Sequence, residues 1–474
     1  MSQRWFPRTA QREQPASAAP RLDVVQSLSP EDHEYVRGAL RYLQGLVDHE
    51  LSSVGVSAGQ IDGLDLGPVA SVLEALGNPQ HSLRIVHVTG TNGKGTVCRM
   101  VESLVTVSGL RVGTYLSPEG TVNERIRLDQ RPVEDQILAD AVWTVRGVAE
   151  HLEIALTAFE AITLCALVVF ADAPVDVAVV EVGLLGRYDA TNIVDADVAV
   201  ITTVGGDHTD FKPGWAERVA SEKAGIIKPK SIAVLGDIDD ALVPVFAAEG
   251  PATLLRLGDN FSCEESRLAV GGRAVELLTT SGDRHEVLLP LFGEHQGDNA
   301  AVALTAAEAI LGTPLSREVI ETAFAEVRTP GRIELLAHSP VIVIDGGHNE
   351  HAAAALGRTL AESFTIVGRR IAVIGMLAGR DPARLLRPLH EHFPLDLVLA
   401  VEMNSPRAMS AKLIAEAAEH IGIATVVVPS LEIGLQRAYN QAEPEDLVLV
   451  TGSFRLMDDA RATFRKLSTA AEAR

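Results

Sequence analysis

One junction constrains this chain more than any other. An apolar run, Ile85-Val86-His87-Val88, leads into Gly90-Thr91-Asn92-Gly93-Lys94-Gly95-Thr96, and a helical pattern of Val97, Met100, Val101, Leu104 and Val105 begins at once. Strand, glycine-rich turn and helix in that order build a phosphate cradle. Glycines let backbone N–H groups approach phosphate oxygens, and the helix N-terminus adds positive potential. Lys94 is spaced to reach the β- and γ-phosphates and the Thr96 hydroxyl to face Mg²⁺. The expectation is a nucleoside triphosphate held by Gly90, Asn92, Gly93, Lys94, Gly95 and Thr96. The spacing differs from the common P-loop, because Gly95 stands between the lysine and the threonine. A surface turn capping a helix is the alternative reading; the flanking strand and helix favour phosphate.

Around this junction, strand-like runs at 85–89, 113–117, 177–182, 198–204 and 231–235 alternate with helical segments. That rhythm predicts an α/β fold, a P-loop domain with a doubly wound, mostly parallel sheet. After the turn Arg328-Thr329-Pro330-Gly331 a second rhythm follows at 341–344, 371–374, 397–401, 425–428 and 447–450. It predicts a smaller, Rossmann-like C-terminal α/β domain. At 474 residues, two or three domains are expected. The expected division is a disordered tail over 1–22, an ATP-binding central domain over 23–328 and a C-terminal domain over 329–474. The first helix should begin near Ser29-Pro30-Glu31. Two α/β lobes on a short linker predict a cleft that closes on substrate.

A formal charge of −22 argues against nucleic acid or an anionic membrane as partner. It also requires any phosphate site to be locally basic. Cys98, Cys165 and Cys263 have neither metal nor redox spacing, so buried thiols in a reducing, cytoplasmic setting are expected. The longest apolar stretch, Ala161 to Ala171, is too short to span a bilayer, and the N-terminus has no signal-peptide pattern.

In open α/β sheets, ligands collect at the carboxyl ends of strands. Ser117, Glu181, Asp207-His208 and Asp345 all fall there. Glu181 lies within Val-Ala-Val-Val-Glu-Val, where a carboxylate is costly to bury unless it is paired, with Arg187 for instance, or holds a metal. Thr96, Ser117, Glu181 and His208 together make an oxygen-plus-imidazole set suited to Mg²⁺ between protein and phosphates.

These features together resemble the folylpolyglutamate synthase/dihydrofolate synthase family of the Mur-type ligases. The motifs run in order: LGNPQHSLRIVHVTGTNGKGT, SPEGTVNERI, TAFEAITLCAL, VEVGLLGRYDATN, DHTDF, SEKAGIIKP, GEHQGDNAAVAL, TPGRIE and DGGHN. The resemblance implies that Gly93 to Thr96 hold ATP phosphates and that Asn299, Arg332 and Asp345 contact the nucleotide. It implies that Ser117, Glu181 and His208 ligate Mg²⁺, and that Lys223 is carboxylated by CO₂ and helps hold a second ion. Thr157, Phe159, Glu160, Arg187, Tyr188, Asp189 and Ala190 match parts of a pterin-acid site.

The implied activity is ATP-dependent addition of L-glutamate to dihydropteroate or folates through an acyl phosphate. Lys94, Lys223, Arg332 and His348 are the catalytic candidates, and His348 or Asp345 would orient the incoming amine. Small-molecule partners and a monomer are expected. Glu119-Gly120, Leu185 and Tyr188 depart from the family's strings near the acid. A Mur-type amide ligase acting on a different carboxylic acid is therefore the alternative.

Overall fold

The computed structural model describes residues 30–47, 65–118, 120–207, 209 and 211–472. The expected tail over 1–22 lies outside the described residues, as do Ser29, Glu119 and His208. The first described helix is Pro30–Gly45, at the expected start.

The junction that opens the sequence folds as β1 (Ile85–Thr89), the glycine turn and α1 (Lys94–Val107). Side chains alternate across a strand, so β1 serves two cores. Val86 and Val88 pack with Val97, Val101 and Leu104 of α1 and with Ala300 and Leu304 of a later helix. Ile85 packs on the other face with Ala161, Leu164 and Cys165 of α2 (Ala158–Asp172). Burying each large aliphatic side chain contributes about 1.5–3 kcal/mol. Both faces of β1 are covered, which is why its run of apolar residues is continuous.

The remaining strands of this sheet are β2 (Val112–Tyr115), β3 (Ile126–Leu128), β4 (Arg131–Pro132), β5 (Val177–Glu181), β6 (Val198–Thr203), β7 (Ile232–Asp237) and β8 (Thr253–Arg256). Their order is β4-β3-β2-β5-β1-β6-β7-β8. All pairs from β2 to β8 are parallel, and β3 and β4 add an antiparallel edge. β5 and β6 flank β1, with Val88 opposite Glu181 and Thr89 opposite Ile201. The glycine turn, Glu181 and Thr203 therefore leave the sheet at one edge. β2 is shorter than expected: its ladder with β5 ends at Tyr115, so Ser117 sits in the following loop.

A three-stranded antiparallel sheet is an addition to the expected fold. It comprises β9 (Ser262–Ala269), β10 (Gly272–Leu278) and β11 (Arg284–Leu289), followed by α4 (His295–Leu311). α3 (Trp215–Ala224) carries Lys223. The apolar stretch beginning at Ala161 is a buried segment of α2, and among the described residues no helix is long and apolar enough to cross a membrane. Cys98 and Cys165 are buried and Cys263 is half-buried; all three thiols are free.

The C-terminal sheet comprises β12 (Glu334–His338), β13 (Val341–Asp345), β14 (Arg370–Ile374), β15 (Leu397–Val401), β16 (Ala424–Val428) and β17 (Leu447–Thr451). Its order is β12-β13-β17-β14-β15-β16, parallel from β13 to β16, with β12 an unexpected antiparallel edge. α5 (Glu350–Ser363) follows β13, and α6 (Met457–Glu472) closes the described chain. The two lobes touch at the cleft, where Asn349 Nδ2 donates to Asn92 Oδ1 at 3.0 Å.

Candidate active site

The glycine turn has the backbone that only glycines adopt without strain. Gly90 has φ +152° and Gly93 φ +86°. A Cβ on Gly93 would also stand 2.7 Å from Asn299 Oδ1. The turn is tied to β6: Thr91 N donates to Thr203 O at 3.0 Å, Asn92 N to Thr203 Oγ1 at 3.0 Å, and Thr202 Oγ1 to Asn92 O at 2.6 Å. Lys94 bends back over the turn, its Nζ donating to Gly90 O at 2.9 Å. An ammonium group is thus held over a ring of peptide groups, as a phosphate cradle requires.

Thr96 Oγ1 is buried and has no hydrogen-bond partner, with the residue 1 % exposed. Such a hydroxyl costs about 1–3 kcal/mol, so a ligand at the turn would recover that loss. On the neighbouring residue, a Cβ added to Gly95 would be 3.5 Å from Glu181 Oε2. Glu181 is buried and takes the backbone N–H of Ser117 at 2.9 Å. Its pairing with Arg187 does not form, because Arg187 binds Glu249 and donates to Ser221 O at 2.9 Å. Among the described residues no three His, Cys, Asp or Glu side chains cluster as a metal site. The donors here are hydroxyl and carboxylate, the chemistry of a hard ion that keeps waters and phosphate oxygens as its other ligands.

Lys223 is 4 % exposed at the end of α3. Burial, and then the charge of Lys94, lower its amine to about 7, against an opposing pull from Asp207.

From the second lobe, Arg332 enters across the junction turn, its guanidinium 4.2 Å from the centre of the Phe454 ring. Its Nη2 lies 3.8 Å from where a Cβ on Gly95 would be. Asp345 is buried with both oxygens engaged: Oδ1 accepts from Gly347 N at 2.7 Å and Oδ2 from Ile333 N at 3.0 Å. Burial raises its pKa. His348 donates from Nδ1 to Gly346 O at 2.9 Å, leaving Nε2 3.6 Å from Asp207 Oδ2.

Two cavities meet at this turn. One of about 690 Å³ is lined by Lys94, Ser117, Glu181, His348, Arg125 and Asp458. The other, of about 460 Å³, is lined by Asn299, Asp345, Val302, Leu356, Asp298 and Asp237. Asn92, Gly93, Thr96 and Arg332 line both. The glycine turn therefore stands between a nucleoside-sized chamber and a larger cleft lined by both basic and acidic groups.

The expected pterin-acid residues divide. Thr157 and Glu160 form a reciprocal cap on α2: Glu160 N donates to Thr157 Oγ1 at 3.2 Å and Thr157 N to Glu160 Oε2 at 2.7 Å. Asp189 is buried, accepting from Leu184 N at 2.7 Å and Thr191 N at 3.0 Å, and burial raises its pKa to about 6. Arg187 points to Glu249, and Ala190 is buried. These side chains shape the loop rather than face the cleft. Phe159 packs behind Gly183 of the cleft lining, its ring 5.7 Å from the Arg125 guanidinium, and Tyr188 is 44 % exposed.

Sequence reasoning passed over Phe454, Arg125, Asp458 and Asn349. Phe454 follows the carboxyl end of β17, and Asn349 lies within the DGGHN string, so strand-end position was the available signal.

Comparison with known proteins bears on most of the chain. A Mur ligase middle-domain family model matches residues 88–307, and one for a Mur ligase, glutamate ligase domain matches 331–454. A Mycobacterium tuberculosis dihydrofolate synthase/folylpolyglutamate synthase is 36% identical over 381 residues, 74% of this chain and 76% of the relative. The Escherichia coli protein of the same description is 36% identical over 82% of this chain and 89% of its own. The structure of M. tuberculosis folylpolyglutamate synthase complexed with ADP superposes with a TM-score of 0.83 at 31% identity, covering 91% of this chain and 99% of that one. A bifunctional folylpolyglutamate synthase/dihydrofolate synthase with Mn, AMPPNP and L-glutamate bound gives 0.77 at 32% identity, covering 91% and 98%.

Proposed function

Because this chain belongs to the folylpolyglutamate synthase/dihydrofolate synthase family of Mur ligases, we propose that the cleft described above activates a pterin-linked carboxylate for attack by L-glutamate. The protein is an ATP-dependent ligase that joins L-glutamate to folates, with a divalent metal. The acceptor is dihydropteroate, a reduced folate, or both. The domain boundary falls at 328/329, and the enzyme works as a cytoplasmic monomer.

A carboxylate does not condense with an amine in water, since oxide is a poor leaving group. Transfer of the γ-phosphoryl group to the acceptor carboxylate gives an acyl phosphate and ADP. The glutamate amine then attacks the acyl carbon, and the tetrahedral intermediate expels phosphate and loses a proton to give the amide. Lys94 and Arg332 both line the cleft at the glycine turn and neutralise the transferring phosphoryl oxygens. Thr96, Ser117, Glu181 and His208 would hold the metal ion, which supplies Lewis-acid stabilisation of the same charge. Lys223 is chemically suited to carboxylation: CO₂ adds only to the neutral amine, and its lowered pKa keeps much of that form present. The resulting carbamate would hold a second ion. His348, with Nδ1 occupied by Gly346 O, offers Nε2 to orient the incoming amine. Closing of the lobes protects the acyl phosphate from water.

One observation carries this reading. The partnerless buried hydroxyl of Thr96 lies where a nucleoside-sized chamber opens into the cleft that holds Lys94, Glu181 and Arg332. The test is phosphate release by purified protein with Mg·ATP, L-glutamate and either dihydropteroate or a reduced folate. Turnover is expected, and Lys94→Ala should abolish it. Release with neither pterin acid but with another carboxylic acid would move the acceptor assignment and leave the ligase chemistry standing.

A further inference from the structure

Arg332 reaches the phosphate turn from a piece of chain whose backbone is unfavourable. Gly331 has φ +69° and Ile333, a β-branched residue, φ +46°. A left-handed β-branched residue is a genuine outlier, because its Cβ crowds the following carbonyl oxygen. Something must hold this turn, and the contacts that do so are specific. Gly331 N donates to Glu334 Oε2 at 2.7 Å, Ile333 N to Asp345 Oδ2 at 3.0 Å, and Gly346 N to Gly331 O at 2.8 Å. Glu334 is itself held by Arg461 of α6. Nε of Arg461 lies 2.9 and 3.0 Å from its two oxygens, and Nη2 lies 2.8 Å from Oε2. Nη1 of the same guanidinium donates to Asp458 Oδ1 at 2.5 Å. Phe454, the ring beneath Arg332, lies in the short turn that leads into α6. One terminal element thus supplies both the platform under the Arg332 guanidinium and the clamp on the turn that carries it.

We infer that Glu334 and Arg461 are positioning residues for Arg332. They set the angle at which its guanidinium meets the terminal phosphate, without touching nucleotide themselves. A bidentate arginine–carboxylate pair is suited to this, because its planar fork fixes direction as well as distance. Breaking an ion pair that only stabilised the fold would lower the melting temperature and weaken all ligands alike. A positioning pair should act on the γ-phosphate selectively. The inference rests on Arg332 being the γ-phosphate arginine, so Arg332→Ala serves as the reference variant.

The test compares Glu334→Gln, Arg461→Lys and Arg332→Ala in the full chain with Mg²⁺. Affinities for ADP and for the non-hydrolysable triphosphate AMPPNP are measured beside kcat, KM for ATP and the melting temperature. Glu334→Gln and Arg461→Lys should lower kcat and AMPPNP affinity about tenfold, while ADP affinity changes by less than about threefold. The swapped pair Glu334→Arg with Arg461→Glu should stay impaired, since it restores an ion pair but not the acceptor for the Gly331 N–H. The inference is overturned if ADP and AMPPNP weaken equally, if neither weakens, or if the swap restores full activity. If Arg332→Ala itself keeps the AMPPNP preference, the reading of Arg332 has failed. If Arg332→Ala loses that preference and the other variants keep it, only the positioning role has failed.

Discussion

Glu181, at the carboxyl end of β5, accepts the backbone N–H of Ser117, two residues beyond the end of β2, at 2.9 Å. The carboxylate is thereby aimed along the sheet edge toward the glycine turn, while Arg187 is taken by Glu249. Glu181→Gln keeps the shape and an acceptor for Ser117 while removing the charge. The Mg²⁺ concentration for half-maximal activity should rise at least about tenfold, with the melting temperature nearly unchanged. An unaltered Mg²⁺ titration would remove Glu181 from the metal site.

Thr96→Val separates function from stability. The hydroxyl has no partner in the free protein, so its loss should leave unliganded stability equal or raise it by up to about 1 kcal/mol. Protection of the fold by Mg·ATP, read as a shift in melting temperature, should largely vanish. A variant that is destabilised when free but still protected by nucleotide would contradict this.

Lys223 gives a pH dependence with a definite sign. Its folded pKa, about 7, lies below the ordinary lysine value, so between the two the unfolded chain binds the extra proton. Stability from this group therefore rises as pH increases above about 7, and the burial cost is greatest below it. The neutral amine needed for carboxylation also gains population through the same window. Activation by added bicarbonate should follow that rise and be absent in Lys223→Arg, which stays charged. A bicarbonate response in the arginine variant would argue against carboxylation at this residue.

Leu185 sits at φ +58° and packs on Val219 of α3 while its carbonyl accepts from Thr89 Oγ1. Removing its side chain should cost about 2–4 kcal/mol in denaturant unfolding. Glycine normally costs more than alanine, but here it relieves the left-handed strain. Leu185→Gly should therefore match Leu185→Ala within about 0.5 kcal/mol. A glycine variant much weaker than the alanine one would show that the backbone there is not strained.

Most of this architecture was legible in the sequence because parallel strands covered on both faces read as unbroken apolar runs. β1 and β15 fall on their expected residues. The sheet β9–β10–β11 was missed because its strands are interrupted by charged residues, although Val270-Gly271 and Ser281-Gly282 mark its hairpin turns in plain view. Phosphate and metal candidates could be found because they follow strand ends, which topology brings to one edge. The acid-pocket residues could not be sorted that way. Whether Arg187 faces substrate or Glu249 is decided by a residue far along the chain. The cap formed by Thr157 and Glu160 did carry a local signal, a threonine three residues before a glutamate at a helix start.

Arg273, buried in β10, reaches across to Glu362 of α5 at 2.8 Å, and Phe292 stacks on Phe364 nearby at 5.4 Å. These contacts lie one helical turn beyond Arg358, at the nucleoside end of the cleft, whereas Gly120 and Asp458 meet at the other end. Parting of the lobes about such a fastening resembles a book opening from its spine. Such an opening would separate the lobes widely at Gly120 and Asp458 and hardly at all at Arg358. The expected order of departure is then amide and phosphate first and ADP last, a sequence that product-inhibition kinetics would reveal.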